Sequence, residues 1–450
     1  MQPAANAIPQ IPMTRGRLLR ILGVGFGLAV IIGNTIGGGI VSTPGMIAQQ
    51  LPNAWLFIGV WLVGGLYALL GAISIAELGT MMPRSGGQYV FAHDALGDYA
   101  GFIVGWSDWI STCGSTAFIS LVIAQYSGVL VPSLAGRSTA TALTIVLLFG
   151  LIQWRGIRWG SGVQNVTSLL KAVAFVALVI ACFALGGSAP ATGGEPAQVP
   201  HGLKLFVAMI LALQGVIYTY DGWTGVIYFS EEVRNPSRDI PRSMLGGVLS
   251  VIAIYLLVNL AILYVLPMSE IAGSDLALGK AAQAIFGHNG DRIFRTLMIL
   301  SMLSAVNACQ LMATRVLFAM SRDGLFSTKG ARANTGGTPT VALLFSTIVA
   351  ALFILTGTVD QVLAVVAFFF VVNYTVSFSV VFILRKRAPG RPRPYRAWGY
   401  PWTTGFSLLA SLAFLAGAVK SDTRNSLYAL VLLAASYPTF RFTRWLASRG

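Results

Sequence analysis

The chain has 450 residues, 55% of them apolar and 10% charged, and its mean hydropathy is +0.74. Soluble domains carry about 25% charged residues, so a water-soluble fold of this size could not cover its surface with so few, and a soluble enzyme is excluded. The net charge of +15 could suit nucleic acid, but where the charges lie along the chain decides that question.

A membrane helix needs about 20 apolar residues. Twelve apolar runs are read as spans: 21–48, 55–79, 99–131, 139–154, 161–186, 203–230, 242–266, 291–320, 340–356, 360–385, 401–419 and 425–440. Only helices and closed barrels satisfy the backbone in lipid, and the strict alternation of barrel strands is absent, so the fold class is an all-α membrane protein. The run from Ile21 is long, lacks a cleavage site and is followed by further spans, which argues against a signal peptide. The N-tail is 1–20. A polar, Gly/Pro-rich loop fills 187–202, a basic, Pro-rich loop fills 386–400, and a short tail follows at 441–450. Cys113, Cys182 and Cys309 lie in separate apolar runs without CxxC spacing, so neither a disulfide framework nor a zinc site is expected. His93, His201 and His288 all fall between spans and are expected to be solvated.

Twelve spans with the N-tail in the cytoplasm put 22 of the 30 Lys and Arg on the inner side and 7 on the outer, with Lys171 inside a span. That bias follows the positive-inside rule, places both termini in the cytoplasm and accounts for the basic charge without nucleic acid. The cluster at 385–396 is read as a topology determinant, with a lipid-binding role as the alternative.

Two spans are interrupted. The first carries Gly33-Asn34-Thr35-Ile36-Gly37-Gly38-Gly39 near its middle. Three successive glycines forfeit about 1 kcal/mol each relative to alanine in a helix and let the backbone leave helical geometry. The sixth carries Tyr218-Thr219-Tyr220-Asp221-Gly222, with a carboxylate and a glycine where a lipid-facing helix would carry leucine. Non-helical backbone at this depth is tolerated only inside protein or around a water-filled cavity. Tight packing through small residues explains either interruption alone. Paired interruptions at corresponding positions of two halves point to a transporter site. A broken helix leaves N–H groups unpaired at one half-helix start and C=O groups at the other end. Those ends suit a carboxylate and an ammonium, the two charges of an α-amino acid.

Four blocks carry a resemblance: IGNTIGGGIVSTPG at 32–45, AELGTMMPRSGGQYVFAHDALG at 76–97, YTYDGWTGVIYFSEEVRNPSRDIPRSM at 218–244 and RVLFAMSRDGLF at 315–326. The sequence resembles the amino acid–polyamine–organocation (APC) superfamily, closest to bacterial relatives of the L-type amino acid transporters. The resemblance implies a LeuT-type 5+5 inverted repeat, with the first repeat at 21–186, the second at 203–385, and two further spans at 401–440. It also implies a substrate site at Thr35, Ile36, Gly37, Gly38, Gly39, Tyr218, Tyr220, Asp221 and Asn307. The N–H groups of Gly38 and Gly39 take the carboxylate. The carbonyls of Thr35, Tyr218 and Asp221 take the ammonium, and Tyr218 gates the ligand. Lys171 stands where sodium-independent members carry a lysine in place of the ion. Two positions depart from the common pattern: Asp221 stands where many relatives have glycine, and Gly38 where serine is more usual. Asp108 matches no family feature. Eukaryotic L-type members bind a heavy chain through a cysteine between spans three and four; VPSLAGRST at 131–139 has none, so no disulfide-linked heavy chain is expected.

An ionisable group at the bilayer centre costs at least about 2.5–3.5 kcal/mol and needs a reason. Lys171 is assigned to coupling, and Asp108 to coupling or a structural partner. Glu77 is expected to pair with an inner-loop arginine. The run Glu231, Glu232, Arg234, Arg238, Asp239, Arg242 reads as a solvated helix cap or an inner-gate network. With no histidine in any span and no cysteine cluster, an intramembrane enzyme lacks its chemistry, and the asymmetric breaks argue against a channel. The expected function is sodium-independent amino acid transport by exchange or uniport across the cell membrane. Neutral substrates are favoured, and no cofactor or metal is expected. Proton symport, or transport of polyamines or other organic cations, is the alternative.

Overall fold

The computed structural model describes residues 18–187, 198–356, 359–421 and 423–447. Most of the N-tail and of the 187–202 loop therefore lies outside the described residues. The described chain is helical: α1 Val24–Thr35, α2 Gly39–Gln50, α3 Ala54–Met81, α4 Gln88–Leu96, α5 Asp98–Leu130, α6 Ser138–Trp154, α7 Ile157–Leu185, α8 Leu203–Thr219, α9 Pro236–Val265, α10 Met268–Ile271, α11 Ala277–Phe286, α12 Gly290–Arg322, α13 Thr340–Thr356, α14 Val359–Arg387, α15 Trp402–Ser421 and α16 Thr423–Ala447. Among the described residues, seven helices are long and apolar enough to cross a bilayer. The pair α1 and α2, bent by 49°, makes an eighth span, and α6, α8 and α13 are shorter apolar helices. This is a multi-pass membrane protein.

Local sequence sets several boundaries. Asn53 caps α3 by accepting from the N–H groups of Trp55 (3.0 Å) and Leu56 (3.1 Å), which occupies two of the orphan donors of a helix start. Pro236 opens α9, where the missing N–H costs nothing. Within α5, Ser111, Thr112, Thr116 and Ser120 donate to carbonyls one turn back, so these hydroxyls need no partner in lipid.

Two stretches between the spans read from sequence also form helices: residues between the second and third spans form α4, whose first turns are buried, and α11 lies between the seventh and eighth with Ala277, Leu278, Ala281 and Ala282 buried. Each is too short to register as a span. The apolar side chains of α6, α7 and α8, including Leu147, Leu151, Val166, Leu169, Ile180 and Phe206, face outward, as a lipid-facing surface requires. Inside, α5 runs along α12 and α14, while α3 runs along α9 and α1 is held between α7 and α9. The basic loop folds back on α3. Buried Glu77 accepts from Arg385 (2.9 and 2.5 Å) and from the N–H of Ala397 (2.7 Å), and pairs with Arg393 (3.3 Å). The expected pairing of Glu77 with loop arginines is thus the one found. α16 runs on to Ala447, so most of the segment read as a C-tail is helix.

Candidate functional site

The first break is short. α1 ends at Thr35, Ile36 is extended (φ −77°, ψ 99°), and α2 restarts at Gly39 without a side-chain cap. Its carbonyls are held from three helices. Lys171, fully buried on α7, donates through Nζ to the Gly33 carbonyl (2.7 Å) and to that of Ile36. Ser301 and Ser304 of α12 donate to the same two oxygens, at 3.2 and 3.4 Å. Tyr255 of α9 reaches the carbonyls of Thr35 (2.7 Å) and Thr219 (3.0 Å), so one hydroxyl ties the end of α1 to the end of α8. The N–H side of the break is different. No hydrogen bond among the described residues engages the N–H of Gly37 or Gly38. A Cβ at Gly37 would meet nothing within 4 Å, and one at Gly38 only the Met302 methyl at 3.5 Å. The start of α2 therefore carries N–H groups without a partner among the described residues, the feature that makes a helix N-terminus an anion site.

The second break is longer. α8 ends at Thr219, residues Tyr220–Thr224 form turns, and only a 3₁₀ stretch, Gly225–Phe229, follows. The sequence interruption at 218–225 is where the helix stops, but the expected second half-helix is these five residues of 3₁₀. Gly222 has φ +109°, and a Cβ there would lie 2.8 Å from Asn34 Nδ2 and 2.9 Å from the Thr35 nitrogen. Glycine is needed twice over, for a left-handed backbone and for the crossing of the two breaks. α2 and α8 are also joined by the hydroxyls of Thr43 and Thr219 at 2.7 Å.

Around this crossing the sequence-derived residues separate into two sets. Thr35, Ile36, Gly37, Gly38, Gly39, Tyr218 and Asp221 come together. Asp221 and Tyr218 are half-buried, and the Tyr218 carbonyl accepts from the Asp221 N–H at 3.1 Å. Tyr374 of α14 donates its hydroxyl to Asp221 and stacks on Trp223 at 4.9 Å between centroids. The Thr35 hydroxyl is buried without a partner. Tyr220 and Asn307 point elsewhere. Tyr220 packs with Trp61 and Tyr255 and donates to the Trp61 carbonyl (3.3 Å), so it backs Tyr255 from behind the break. Asn307 spends its amide on the Gly160 carbonyl (3.1 Å) and Gln164 (2.8 Å) and accepts from Gln153 (3.0 Å). Its side chain braces α6 and α7 against α12 and is not turned to the glycines. From the same turn of α12, Cys309 does reach the break, with Sγ 3.4 Å from Asn34 Oδ1.

Asp108 has a partner that its sequence neighbourhood did not announce. Both its oxygens accept from the Tyr228 hydroxyl, at 2.9 and 3.0 Å. The mixed-charge run after the break divides: Glu231 and Glu232 enter a network, whereas Arg234, Arg238 and Arg242 are exposed and Asp239 accepts from the Asn235 N–H (3.3 Å) at the start of α9, as a solvated cap does. Glu232 pairs with Arg315 of α12 at 3.0 Å, both fully buried, and Glu231 pairs with Arg322 at 2.8 Å. The Leu22 N–H donates to the Glu232 carbonyl (2.9 Å) and the Arg234 N–H to the Leu22 carbonyl (2.8 Å), which binds the chain entering α1 to this network. His93 is only partly solvated. It lies in α4, stacked on Tyr89, with Nε2 3.2 Å from Asp98.

Chains of known function carry the same pattern over nearly the same length. The serine/threonine exchanger SteT of Bacillus subtilis (strain 168) is 30% identical over 431 residues, 94% of this chain and 96% of its own. The human b(0,+)-type amino acid transporter 1 is 25% identical over 435 residues, 92% of this chain and 86% of its own. The mouse large neutral amino acids transporter small subunit 2 is 26% identical over 414 residues, 88% of this chain and 76% of its own. The resemblance carried by the four sequence blocks is therefore real: matched over residues 26–436, from its first broken helix to its last, the chain belongs to the amino acid permease family, whose members are membrane carriers and not enzymes.

Proposed function

We propose that this chain is a sodium-independent amino acid exchanger of the cell membrane, working by alternating access on a zwitterion held at the two breaks. The observation that carries the reading is the uncapped start of α2, where among the described residues the N–H groups of Gly37 and Gly38 have no partner and an added Cβ would meet at most the Met302 methyl, with the half-buried Asp221 on the neighbouring break. A ligand carboxylate at those donors gains from hydrogen bonds and from the helix dipole, worth up to about 2 kcal/mol in partly buried geometry. The ligand ammonium then lies toward the Asp221 carboxylate, at the end of α8. The Thr35 carbonyl already accepts from Tyr255, and its unpartnered hydroxyl is an additional contact. Lys171 supports sodium independence: its ammonium sits on the two carbonyls that a cation at this break would otherwise neutralise.

The same reading takes the described helices as twelve spans, counting α1 with α2 and α8 with the 3₁₀ stretch, in a five-plus-five repeat with two further spans. Both termini are cytoplasmic, at the end bearing Arg385, Arg391 and Arg393. Exchange is favoured by the 30%-identical exchanger from Bacillus subtilis, which spans almost the whole chain. No disulfide-linked heavy chain is required: all three cysteines are buried, and 131–139 has none. The test is competition on purified protein. Amino acids should raise the melting temperature, whereas their methyl esters and decarboxylated amines, which lack the anion meant for α2, should not. Equal stabilisation by a simple diamine would favour an organic-cation carrier instead.

A further inference from the structure

The site just proposed leaves one buried charge without a task. Asp108 is 1% exposed, a third of the way along α5, and among the described residues no cation lies within ion-pairing distance. Its carboxyl instead faces one hydroxyl, that of Tyr228. Tyr228 belongs to the 3₁₀ stretch that continues the broken α8. It is held from the other side, because the Gly86 N–H donates to its carbonyl (3.2 Å) and its ring lies where a Cβ at Gly87 (φ +65°) would be, 2.5 Å away. The bond between Asp108 and Tyr228 therefore joins α5 to the segment beyond the break.

We propose that Asp108 and Tyr228 form a proton-binding site that controls how firmly the segment Gly225–Phe229 is tied to α5. A buried carboxylate with a single neutral donor and no counter-charge is an intramembrane ionisable group whose cheapest compensation is a proton. The geometry sets the sign. With Asp108 ionised, the Tyr228 hydroxyl donates to a charge, and such bonds are about twice as strong as neutral ones. With Asp108 protonated, the same contact is neutral to neutral and the tie weakens. The other groups acting on the pair are few. Asp221 acts on both members, Cys309 of α12 acts on Tyr228, and the Thr112 hydroxyl of α5 lies beside the Asp108 carboxyl while donating to the Asp108 backbone carbonyl at 2.7 Å. Tyr374 of α14 acts through the carboxylate of Asp221. Because Asp221 borders the proposed ligand site, ligand and proton influence each other reciprocally.

This inference rests on the carrier reading only for its effect on transport; the proton site itself can be tested without substrate. Wild-type protein in liposomes is titrated while its infrared difference spectrum is recorded. The expected result is the C=O stretch of a buried protonated carboxyl, growing as pH falls, lost in Asp108→Asn and displaced in Asp108→Glu. Absence of a titrating band in the wild type, or a band that Asp108→Glu leaves in place, overturns the proposal. Asp108→Glu keeps the carboxyl and decides the assignment should Asp108→Asn fail to fold. Counterflow of labelled L-serine, at equal pH on both sides, reads the tie. Wild-type rate should rise as pH falls. Asp108→Asn should run at the acid-limit rate at every pH, and Tyr228→Phe should do the same while keeping the infrared band. A wild-type pH profile retained by both variants overturns the role of the tie. Absence of all counterflow refutes the carrier reading, and the infrared band still decides the proton site.

Discussion

The charges at the centre of the bundle and those at its basic end are compensated in opposite ways. At the centre, Lys171 is met by backbone carbonyls, and Asp108 and Asp221 by tyrosine hydroxyls. At the basic end, Glu77, Glu231, Glu232 and Asp323 are each met by arginine. Opposite charges that meet spend their fields on each other and fix two elements together. Charges met by neutral dipoles keep their fields available to a ligand or a proton. The basic end thus reads as a closure and the centre as the place where something charged is recognised, although fully buried charges occur at both.

Substitution can sharpen that contrast. The largest effect is expected at the buried pair. Removing one partner of a buried ion pair costs about 3–5 kcal/mol, because the other charge is stranded, whereas replacing both by apolar residues is often neutral. Arg315→Met should therefore lower the denaturation midpoint severely, and Arg315→Met with Glu232→Leu should recover most of the loss. A double variant as unstable as the single would show that the pair contributes more than mutual neutralisation.

Gly38→Leu should do the reverse. The space beside Gly38 holds only the Met302 methyl, so the fold accepts the side chain while the α2 donors are covered. Amino acid binding should be lost with the melting temperature nearly unchanged. Gly39→Leu is less clean, since a Cβ there already meets Thr219 at 2.9 Å. Normal uptake by Gly38→Leu would remove the proposed site.

Lys171→Ala should have an intermediate effect. Ser301 and Ser304 still reach the Gly33 and Ile36 carbonyls, so the break persists but loosens. Hydrogen bonds to charged groups contribute about 1.5–3 kcal/mol, and a loss at the lower end corresponds to a turnover reduced roughly tenfold. Single-turnover kinetics would separate this loss from a change in affinity. The smallest effect belongs to the rim of the basic end. Arg84 is 38% exposed in its 2.6 Å pair with Asp323, and such pairs contribute about 1 kcal/mol or less. Arg84→Ala should shift the midpoint only slightly, and less at high salt.

The centre was more legible in the sequence than the features that hold it. Both breaks could be read because glycines and a carboxylate inside apolar runs are local signals: Gly37–Gly39 and Asp221-Gly222 mark where α1 and α8 stop. What holds the breaks was not local. Tyr255, Ser301, Ser304 and Tyr374 come from other helices, and a tyrosine or serine in an apolar run gives no sign of which carbonyl or carboxylate it will meet. Asp108 stood out as a charge in a span, but Tyr228 lies 120 residues away, beyond any spacing rule. Asn307 was placed by resemblance alone, and its amide is used between helices. The place of His93 was not legible because α4, nine residues long, is too short to register as a span.

The measurement that tests the account most directly is counterflow by the wild-type protein in proteoliposomes, with choline in place of sodium. The account predicts uptake of labelled amino acid driven by unlabelled amino acid inside, undiminished by the loss of sodium and not supported by internal decarboxylated amine. Uptake that requires sodium would contradict the place given to Lys171. Counterflow driven equally well by the amine would contradict the free donors of α2 as the centre of the site.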